Sequence, residues 1–450
     1  MRRNRAGTLS LRGSAPRTDR RHFGATAALN FRAVPARFVL HRPGAAATLP
    51  VGEGNNFMKM GILALVLGYV LSQFYRAFLS VLAPALALDP GVTEGELATA
   101  SSFFFLAFAA MQIAVGLGLD RYGPRLTVSL LLGIGGAGGA FWFALAGSAT
   151  DIYIAMLLIG TGCAPVLMGS MYIFARNFPA AVFGSLSGLL IGVGSLGNLG
   201  AALPLSLAVE ALGWRQAMSI LGVVTALAAL GVLCFVRDPA KAEVPAGGGS
   251  WGAIFRQPAL WGVLIIIAVG YAPAATLRGI WGGPYFTKVY EADAAATGTY
   301  MLIMGVAMTL GSLLYGPLER LVKSRKKVIL GGNLMGFLAL ALLWWNPQPG
   351  LGMAVALIAL SGFFGTAFAL IMAHGRAFFP PHMVGRGVAI LNLCSIGSTG
   401  LVQLATRPIY ETALASGGVV AGFHAIFGFL ALILGFGCLA YALLSPDRTD

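Results

Sequence analysis

Apolar stretches long enough to cross a lipid bilayer follow one another along almost the whole chain. A membrane-spanning helix needs about 20 predominantly apolar residues, and the hydropathy pattern gives twelve such stretches between Gly, Pro and charged breaks. Their limits are 60–83, 97–119, 126–147, 151–174, 183–208, 215–236, 259–284, 295–317, 328–346, 351–373, 384–408 and 420–444. Because a helix satisfies its own backbone hydrogen bonds in lipid, the pattern predicts an all-α polytopic membrane protein with twelve transmembrane helices.

The twelve stretches fall into two related sets of six. A polar interruption, RDPAKAEVPAGGGSWGAIFRQP, is rich in charge, Gly and Pro, as is typical of a linker. We therefore predict one six-helix bundle at 58–236, a cytoplasmic linker at 237–258 and a second bundle at 259–450. Arg176 and Arg376 follow the fourth and tenth stretches 200 positions apart. A duplication at that offset predicts two pseudo-symmetric bundles with a substrate site between them.

Residues 1–57 differ from the rest of the chain in composition. They contain ten arginines, no lysine and two acidic residues. Such a segment is typical of a transit peptide, but it is also expected if the natural start is Met58, which we favour. In either case we expect a disordered extension without a folded domain. A chain that begins at Met58 is expected to insert into the membrane and to function normally.

The distribution of charge predicts the orientation of the chain. Loops on one side of the twelve stretches carry thirteen Lys and Arg residues, whereas the opposite loops carry three, namely Arg215, Lys288 and Arg407. The positive-inside rule then places both termini in the cytoplasm, in the cell (inner) membrane. Since the basic residues lie in the extension and in short loops, the formal charge of +14 does not indicate nucleic-acid binding.

Motifs of soluble enzymes are missing from the sequence or lie in the wrong context. The strings GIGGAG and GVGSLG match a dinucleotide-binding pattern, but each lies within an apolar stretch, where close helix packing explains it better. The four cysteines lie in apolar stretches without a CxxC spacing. With no HExxH, Walker A or nucleophile arrangement, we expect neither an enzyme nor a resident metal or cofactor.

The loop GLGLDRYGPR closes the second stretch. It resembles the Gly-x-x-x-Asp-Arg-x-Gly-x-Arg signature of the major facilitator superfamily, and GPLERLVKSRKK, after the eighth stretch, is similar to a degenerate second copy. The resemblance extends over 58–450 and implies a secondary transporter, expected to be monomeric, that works by alternating access. It also implies a charged latch at the helix ends, formed by Asp120, Arg121, Arg125, Glu319 and Arg320. The alternative is that these charges only anchor the loops among water and lipid headgroups.

Two arginines lie inside apolar stretches. SQFYRAFLSV places Arg76 in the first stretch, and YAPAATLRGIWGGPYF places Arg278 in the seventh, 202 positions later. A guanidinium in a bilayer is costly, and none of the sixteen Asp and Glu residues lies in the middle of a stretch. We therefore predict that both arginines line one central site and bind an anionic solute. The alternative is that each reaches the membrane interface or bonds backbone carbonyls.

The surroundings of Arg76 bear on the class of anion. GYVLSQFYRAFLSVLAPALA is similar to the first helix of the organophosphate–phosphate antiporter branch of the superfamily, but the glycine pair in RGIWGGPYF departs from that branch. A carboxylate and a phosphate ester therefore both stay open. Polar and aromatic neighbours are expected to complete the site, or else to bond between helices; they are Gln73, Tyr75, Tyr271, Trp281 and Tyr300.

The sequence thus favours a carrier of a small organic anion, with a proton or a counter-anion as coupling partner. One alternative is a multidrug or metabolite efflux permease, for which an acidic residue in the cavity would be expected. The other is a non-transporting sensor or assembly factor on the same fold, which would need an added soluble domain.

Overall fold

The computed structural model describes residues 51–178, 180–239, 258–379 and 384–447. Within these ranges the regular structure is helical, which confirms the predicted all-α membrane architecture. The first span consists of Val51–Phe74 and Leu79–Leu88, and the fifth of Ala180–Gly200 and Leu203–Leu212. The other spans are Glu94–Tyr122, Pro124–Ala144, Ala149–Asn177, Trp214–Phe235, Pro258–Val289, Ala294–Val322, Arg325–Trp345, Leu351–Arg376 and Val384–Leu444.

The number of spans depends on how the broken helices are counted. Nine helices in the described ranges are long and apolar enough to cross a membrane, and the two bent pairs bring the count to eleven. Val384–Leu444 has 61 residues and is interrupted at Gly418, whose φ is 77°. Division at Gly418 yields the eleventh and twelfth spans, so that each predicted stretch has a helical counterpart. Residues 1–50 and most of the linker, 240–257, lie outside the described ranges.

Repeated capping residues fix the starts of corresponding spans in the two halves. Thr93 accepts a hydrogen bond from the Glu96 amide at 3.3 Å, and Glu96 accepts one from the Thr93 amide at 2.9 Å, which forms a capping box before the second span. Asp293, 200 positions later, accepts from the Ala296 amide at 2.7 Å before the eighth span. The duplication is therefore visible in local structure as well as in sequence.

At least five of the described spans are irregular in their middle portions, and one of them, the tenth, is broken between Phe364 and Phe368. The first and fifth bend by 55° and 44° at their breaks, and the third and seventh contain π-helical turns at Leu131–Ala137 and Leu277–Trp281. Arg76 lies in the break of the first span, and Arg278 lies in the π turn of the seventh. Irregular backbone in a membrane helix is tolerated where it is buried in protein or lines a cavity, and π turns are frequent at functional sites.

Candidate functional site

The first and seventh spans cross in close contact, and this crossing brings the two arginines to one level of the molecule. Ser80 Oγ donates a hydrogen bond to the Arg278 carbonyl at 2.8 Å. A Cβ on Gly283 would overlap the Ser80 carbonyl, and one on Gly279 would lie 3.0 Å from the Arg76 carbonyl oxygen. Gly279, and Gly283 of the glycine pair that sets RGIWGGPYF apart, therefore permit a backbone approach that a larger residue would prevent.

Arg278 bridges the two halves of the protein. Its side chain is buried, at 2% relative exposure, and Nη2 donates to the carbonyl of Asn198 in the fifth span. That carbonyl lies next to the break of the fifth span. There the Ala202 amide donates to the Leu199 carbonyl, at 3.2 Å, and not to the Asn198 carbonyl four positions before it. Nε and Nη1 of Arg278 are buried and have no hydrogen-bond partner in the described ranges. Nη2 of the guanidinium thus stabilises the contact between the halves, whereas Nε and Nη1 are available to bind another group.

Arg76 is half-buried against the second span. Its Cζ lies 4.8 Å from the ring centroid of Phe108, in a cation–π contact. Its Nε is buried without a hydrogen-bond partner among the described residues. Within the same ranges, neither Arg76 nor Arg278 forms an ion pair with an acidic side chain. The alternative in which the arginines bond backbone carbonyls therefore holds for one nitrogen, Nη2 of Arg278. Three buried nitrogens, Nε of Arg76 and both Nε and Nη1 of Arg278, have no hydrogen-bond partner in the described ranges.

Three of the predicted site residues contact spans of their own half. The Tyr75 hydroxyl lies 2.9 Å from the hydroxyl of Thr225 in the sixth span. Trp281 is fully buried and donates from Nε1 to Thr406 Oγ1 at 2.9 Å. Tyr300 packs against the seventh span, with its ring centroid 5.0 Å from that of the phenylalanine at 286. These contacts are interhelical, and a role for the three side chains in binding stays a prediction.

Two further predicted residues have polar groups close to the arginines. Gln73, three positions before Arg76, has a buried Oε1 without a hydrogen-bond partner in the described part of the chain. Tyr271 interacts electrostatically with Arg278 and with Tyr69. Gln73 and Tyr271 are therefore the members of the predicted aromatic and polar set whose surroundings agree with a place in the site.

Tyr69 is a residue of this region that the sequence analysis did not single out. It is buried, at 5% relative exposure, and interacts electrostatically with Arg76 and Tyr271. The signal was present in the sequence, because GYVLSQFYR and GYAPAATLR both place a Gly-Tyr pair before an arginine, with seven positions from Tyr to Arg. Tyr69 and Tyr271 are 202 positions apart, as are Arg76 and Arg278. Each half therefore contributes one Tyr–Arg pair.

The halves are joined by polar contacts at one end of the molecule, which we call the sealed end. Lys288 Nζ lies 2.6 Å from Glu94 Oε1, and Arg407 Nη1 donates to Thr99 Oγ1 at 3.4 Å. Ser206 Oγ donates to the backbone at the start of the eighth span at 2.7 Å. Each of these contacts joins a span of the first half to one of the second, so that access to the arginines from this end requires them to separate.

Loss of the Glu94–Lys288 pair is expected to favour opening of the sealed end. The Glu94 side chain is 11% exposed and that of Lys288 is 38% exposed, so that like charges placed there repel, with partial solvent screening on the Lys288 side. Glu94→Lys or Lys288→Glu should shift the opening equilibrium by about 5- to 150-fold, the range of typical coupling energies. The measurement is the distance distribution between spin labels at the sealed ends of the second and eighth spans.

The exchanged pair, Glu94→Lys with Lys288→Glu, should restore the wild-type distances because it restores the attraction. Asp89→Asn is the matched control, since Asp89 pairs with Arg215 within the first half. A charge exchange that leaves the label distances as in the single variants would contradict this role of the pair.

At the opposite end, the signature loop is held by an acid that the sequence analysis did not consider. The Arg125 amide donates to Asp238 Oδ1 at 2.8 Å, and Arg125 Nε donates to the Leu233 carbonyl at 2.7 Å. Asp238 follows the sixth span, so these bonds tie the start of the third span to the end of the sixth. Asp120 and Arg121 are exposed, and the Arg121 guanidinium lies 5.2 Å from the Tyr122 ring centroid.

The second half repeats this arrangement. Asp447, after the twelfth span, accepts hydrogen bonds from the Ser324 hydroxyl and from the Lys326 amide, the latter at 3.1 Å. The pKa of the Asp447 carboxyl lies below its ordinary value. Partial burial alone would raise this pKa, but the hydrogen bonds to the carboxylate together lower it by more. Glu319 Oε1 lies 2.6 Å from Arg325 Nε, and Arg320 is exposed. These bonds join spans of one half, and a latch between the halves stays a prediction.

Two helical bundles that meet at a sealed end around one buried and one half-buried arginine define the class of two-bundle membrane transporters. The family model of the Major Facilitator Superfamily matches residues 65–402. The chain belongs to this superfamily and is a transporter of that family, which confirms the resemblance seen in the signature loop.

Several proteins named as transporters are similar in sequence. A probable sulfoacetate transporter of Cupriavidus necator is 28% identical over 171 residues, which cover 37% of this chain and 38% of that protein. A probable L-galactonate transporter of Escherichia coli is 24% identical over 335 residues, or 64% of this chain and 71% of that protein. A nitrate/nitrite transporter of Picosynechococcus is 34% identical over 116 residues, or 26% of this chain and 21% of that protein.

Solved structures share the fold at low sequence identity. A bacterial homologue of the human lysosomal transporter Spinster, inward-facing and unoccupied, superimposes with a TM-score of 0.67 at 16% identity and covers 88% of this chain and 99% of that one. A D-xylose–proton symporter superimposes with a TM-score of 0.68 at 16% identity, over 87% of this chain and 98% of that one. Identities this low establish the fold alone.

Proposed function

We propose that this transporter carries a small organic anion, a carboxylate or a phosphate ester, between its two halves. The observation that carries the proposal is the set of three buried arginine nitrogens, on Arg76 and Arg278, that have no hydrogen-bond partner in the described ranges. A buried charge without a partner is expensive, and a guanidinium presents donors in a fork that fits an oxyanion. An anionic solute that enters and leaves would supply the missing acceptors.

The names of the similar transporters support an anionic substrate. Sulfoacetate, L-galactonate and nitrate, named for three of them, are all anions at neutral pH. A cationic drug would instead require negative charge at the site, and the acids that we find in ion pairs lie at the ends of spans. Because the region supplies positive charge, we propose exchange against a second anion, or co-transport of a proton with the substrate.

Purified protein in proteoliposomes tests this function. Vesicles are loaded with one anion, and uptake of radiolabelled carboxylates, sulfonates and phosphate esters is followed with and without a proton gradient. Uptake of an anion that is competed by other anions, and not by organic cations, is the expected result. Uptake restricted to cations or neutral solutes would overturn the proposal.

We also propose that the sealed end faces outward. The loops of the opposite end carry the excess of Lys and Arg, so the positive-inside rule places that end in the cytoplasm. The described conformation would then be the one whose site is reached from the cytoplasm. Both termini and the linker between the halves would be cytoplasmic.

Reporter fusions in the linker are expected to report a cytoplasmic location. An alkaline phosphatase inserted at 247–249 should be inactive, and a fluorescent protein at the same place should fold. A fusion after Glu291, between the seventh and eighth spans, serves as the control and should give the reverse pattern. Phosphatase activity from the linker fusion would show that the proposed topology is inverted.

A further inference from the structure

Gln403 in the eleventh span is a buried polar residue close to the backbone of the two arginines, and nothing described above employs it. Its relative exposure is 0%, and a Cβ on Gly279 would lie 3.7 Å from Gln403 Nε2. The same point is 3.8 Å from Ser101 Oγ in the second span and 3.0 Å from the Arg76 carbonyl oxygen. The Gln403 amide therefore lies where the first, second, seventh and eleventh spans meet. Gly279, from which these distances are taken, directly follows Arg278 in the seventh span.

The backbone around Gln403 is fixed by its neighbours. One turn further along the eleventh span, Thr406 accepts the hydrogen bond from Trp281 Nε1 at 2.9 Å. Arg407 donates across the interface to Thr99 at 3.4 Å. The first contact holds this face of the eleventh span against the seventh span, and the second holds it against the first half.

Both polar atoms of the Gln403 amide lack a partner. Nε2 and Oε1 are buried, and neither has a hydrogen-bond partner in the ranges that the structure describes. Leaving one such buried group unsatisfied is costly, and native proteins contain few of them. Two on one side chain, at a crossing of spans next to the backbone of two arginines whose guanidinium groups also have unpartnered nitrogens, point to a ligand that completes them.

The chemistry of the amide restricts that ligand. An oxyanion only accepts hydrogen bonds, so it could pair with Nε2 but would leave Oε1 unpaired. A hydroxyl group both donates and accepts, and can serve either amide atom while a neighbouring hydroxyl serves the other. A solute that reaches both the guanidinium groups and this amide would therefore carry an anionic group together with hydroxyl groups.

We propose that Gln403 is a specificity-determining residue that binds hydroxyl groups of the substrate, so that the transporter selects hydroxylated organic acids over their deoxy analogues. This inference rests on the proposed anion transport and adds to it the substrate class. A site built to bond a hydroxyl discriminates against the analogue without it, because its own polar groups are then left unpaired.

Matched pairs of acids test the proposal on the purified full-length protein. D-gluconate is compared with hexanoate, and D-glycerate with propionate, by calorimetric titration in detergent. For at least one pair the hydroxylated acid should bind about 5- to 150-fold tighter than its partner, the range expected for unpaired buried polar groups. In Gln403→Leu this ratio should fall to about one, through loss of affinity for the hydroxylated acid, while the affinity for the deoxy acid stays within about threefold.

Two further variants keep the test decisive. Gln112→Leu is the matched control, because Gln112 is also buried but donates to the Phe108 carbonyl of its own helix at 3.4 Å; its ratio should equal that of the wild type. Gln403→Asn withdraws the amide by one methylene and should give an intermediate ratio. If the leucine variant does not fold, Gln403→Asn alone tests the proposal, and the expected result is again a reduced ratio.

The outcomes separate this inference from the proposed function. If both acids of each pair bind equally well to the wild type, a water satisfies the amide and the inference is wrong. It is equally wrong if Gln403→Leu and Gln403→Asn keep the wild-type ratio. In both cases anion binding itself would stand. If no acid of the panel binds to the wild type, the proposed anion function fails and this inference fails with it.

Discussion

Arg278→Ala is expected to abolish the binding and transport of organic anions. The guanidinium is buried at 2% exposure and has two unpartnered nitrogens, so its contribution to anion binding is little weakened by solvent. Truncation of one partner of a buried, hydrogen-bonded charge pair costs about 2–5 kcal/mol, which corresponds to a loss of affinity of roughly 30- to 5,000-fold. The measurement is equilibrium binding of a transported anion, with uptake into proteoliposomes alongside.

Arg278→Lys separates charge from geometry. Lysine keeps the positive charge but has no planar fork, so it cannot both bond the Asn198 carbonyl and offer two parallel donors to an oxyanion. Loss of one charge-assisted hydrogen bond costs about 1.5–3 kcal/mol. We therefore expect Arg278→Lys to bind anions about tenfold or more weakly than the wild type, but better than Arg278→Ala.

The control must account for the second role of Arg278, its bond across the halves to Asn198. Arg407→Ala also removes a cross-half contact, to Thr99, but lies at the sealed end. This variant should keep the wild-type anion affinity even if its conformational equilibrium changes. Wild-type affinity in a double variant, Arg76→Ala with Arg278→Ala, would contradict the assignment of both arginines to the site.

Asp120→Asn is expected to slow turnover with little change in affinity. Asp120 is exposed at the end that carries the signature loop, whereas the halves are joined at the sealed end. If the acid stabilises the alternate state, in which its own end is closed, neutralising it makes that state harder to reach. A coupling energy of the usual size predicts a decrease in turnover of about 5- to 150-fold.

The measurement for Asp120 is exchange flux at saturating anion, together with equilibrium affinity, which should stay within about threefold of the wild type. Glu210→Gln is the control, because Glu210 is another exposed acid, near the end of a helix of the fifth span. A large loss of affinity with normal exchange rates would show that Asp120 acts on the ligand and not on the conformational step.

The spans and the arginine pair could be predicted because both are properties of residue type and spacing. Hydropathy determines which stretches enter the membrane, and a charge in an apolar stretch is conspicuous whatever its surroundings. The repeat offset then relates Arg76 to Arg278 without any knowledge of packing. The family follows from the same features together with the signature loop.

The rotation of each helix about its own axis could not be predicted in this way. Almost every side chain of a span is apolar, so no amphipathic pattern shows which face meets the neighbouring helices. Tyr75 and Tyr69 lie on the same span, yet the Tyr75 hydroxyl bonds Thr225 in the sixth span whereas the Tyr69 ring lies against Gly194 in the fifth. The break at Arg76 and the π turn at Arg278 also depend on tertiary contacts.

The unequal backbone at the two arginines has a consequence for how an asymmetric solute would sit between them. The duplicated Tyr–Arg pairs are related by a pseudo-twofold axis, and a perfect twofold site would offer such a solute two equivalent poses. Here Arg76 lies in a 55° bend and Arg278 in a continuous π turn, so the two ends of the proposed site differ in shape. The two poses are then no longer equivalent, so one orientation of a chiral solute differs from its reverse.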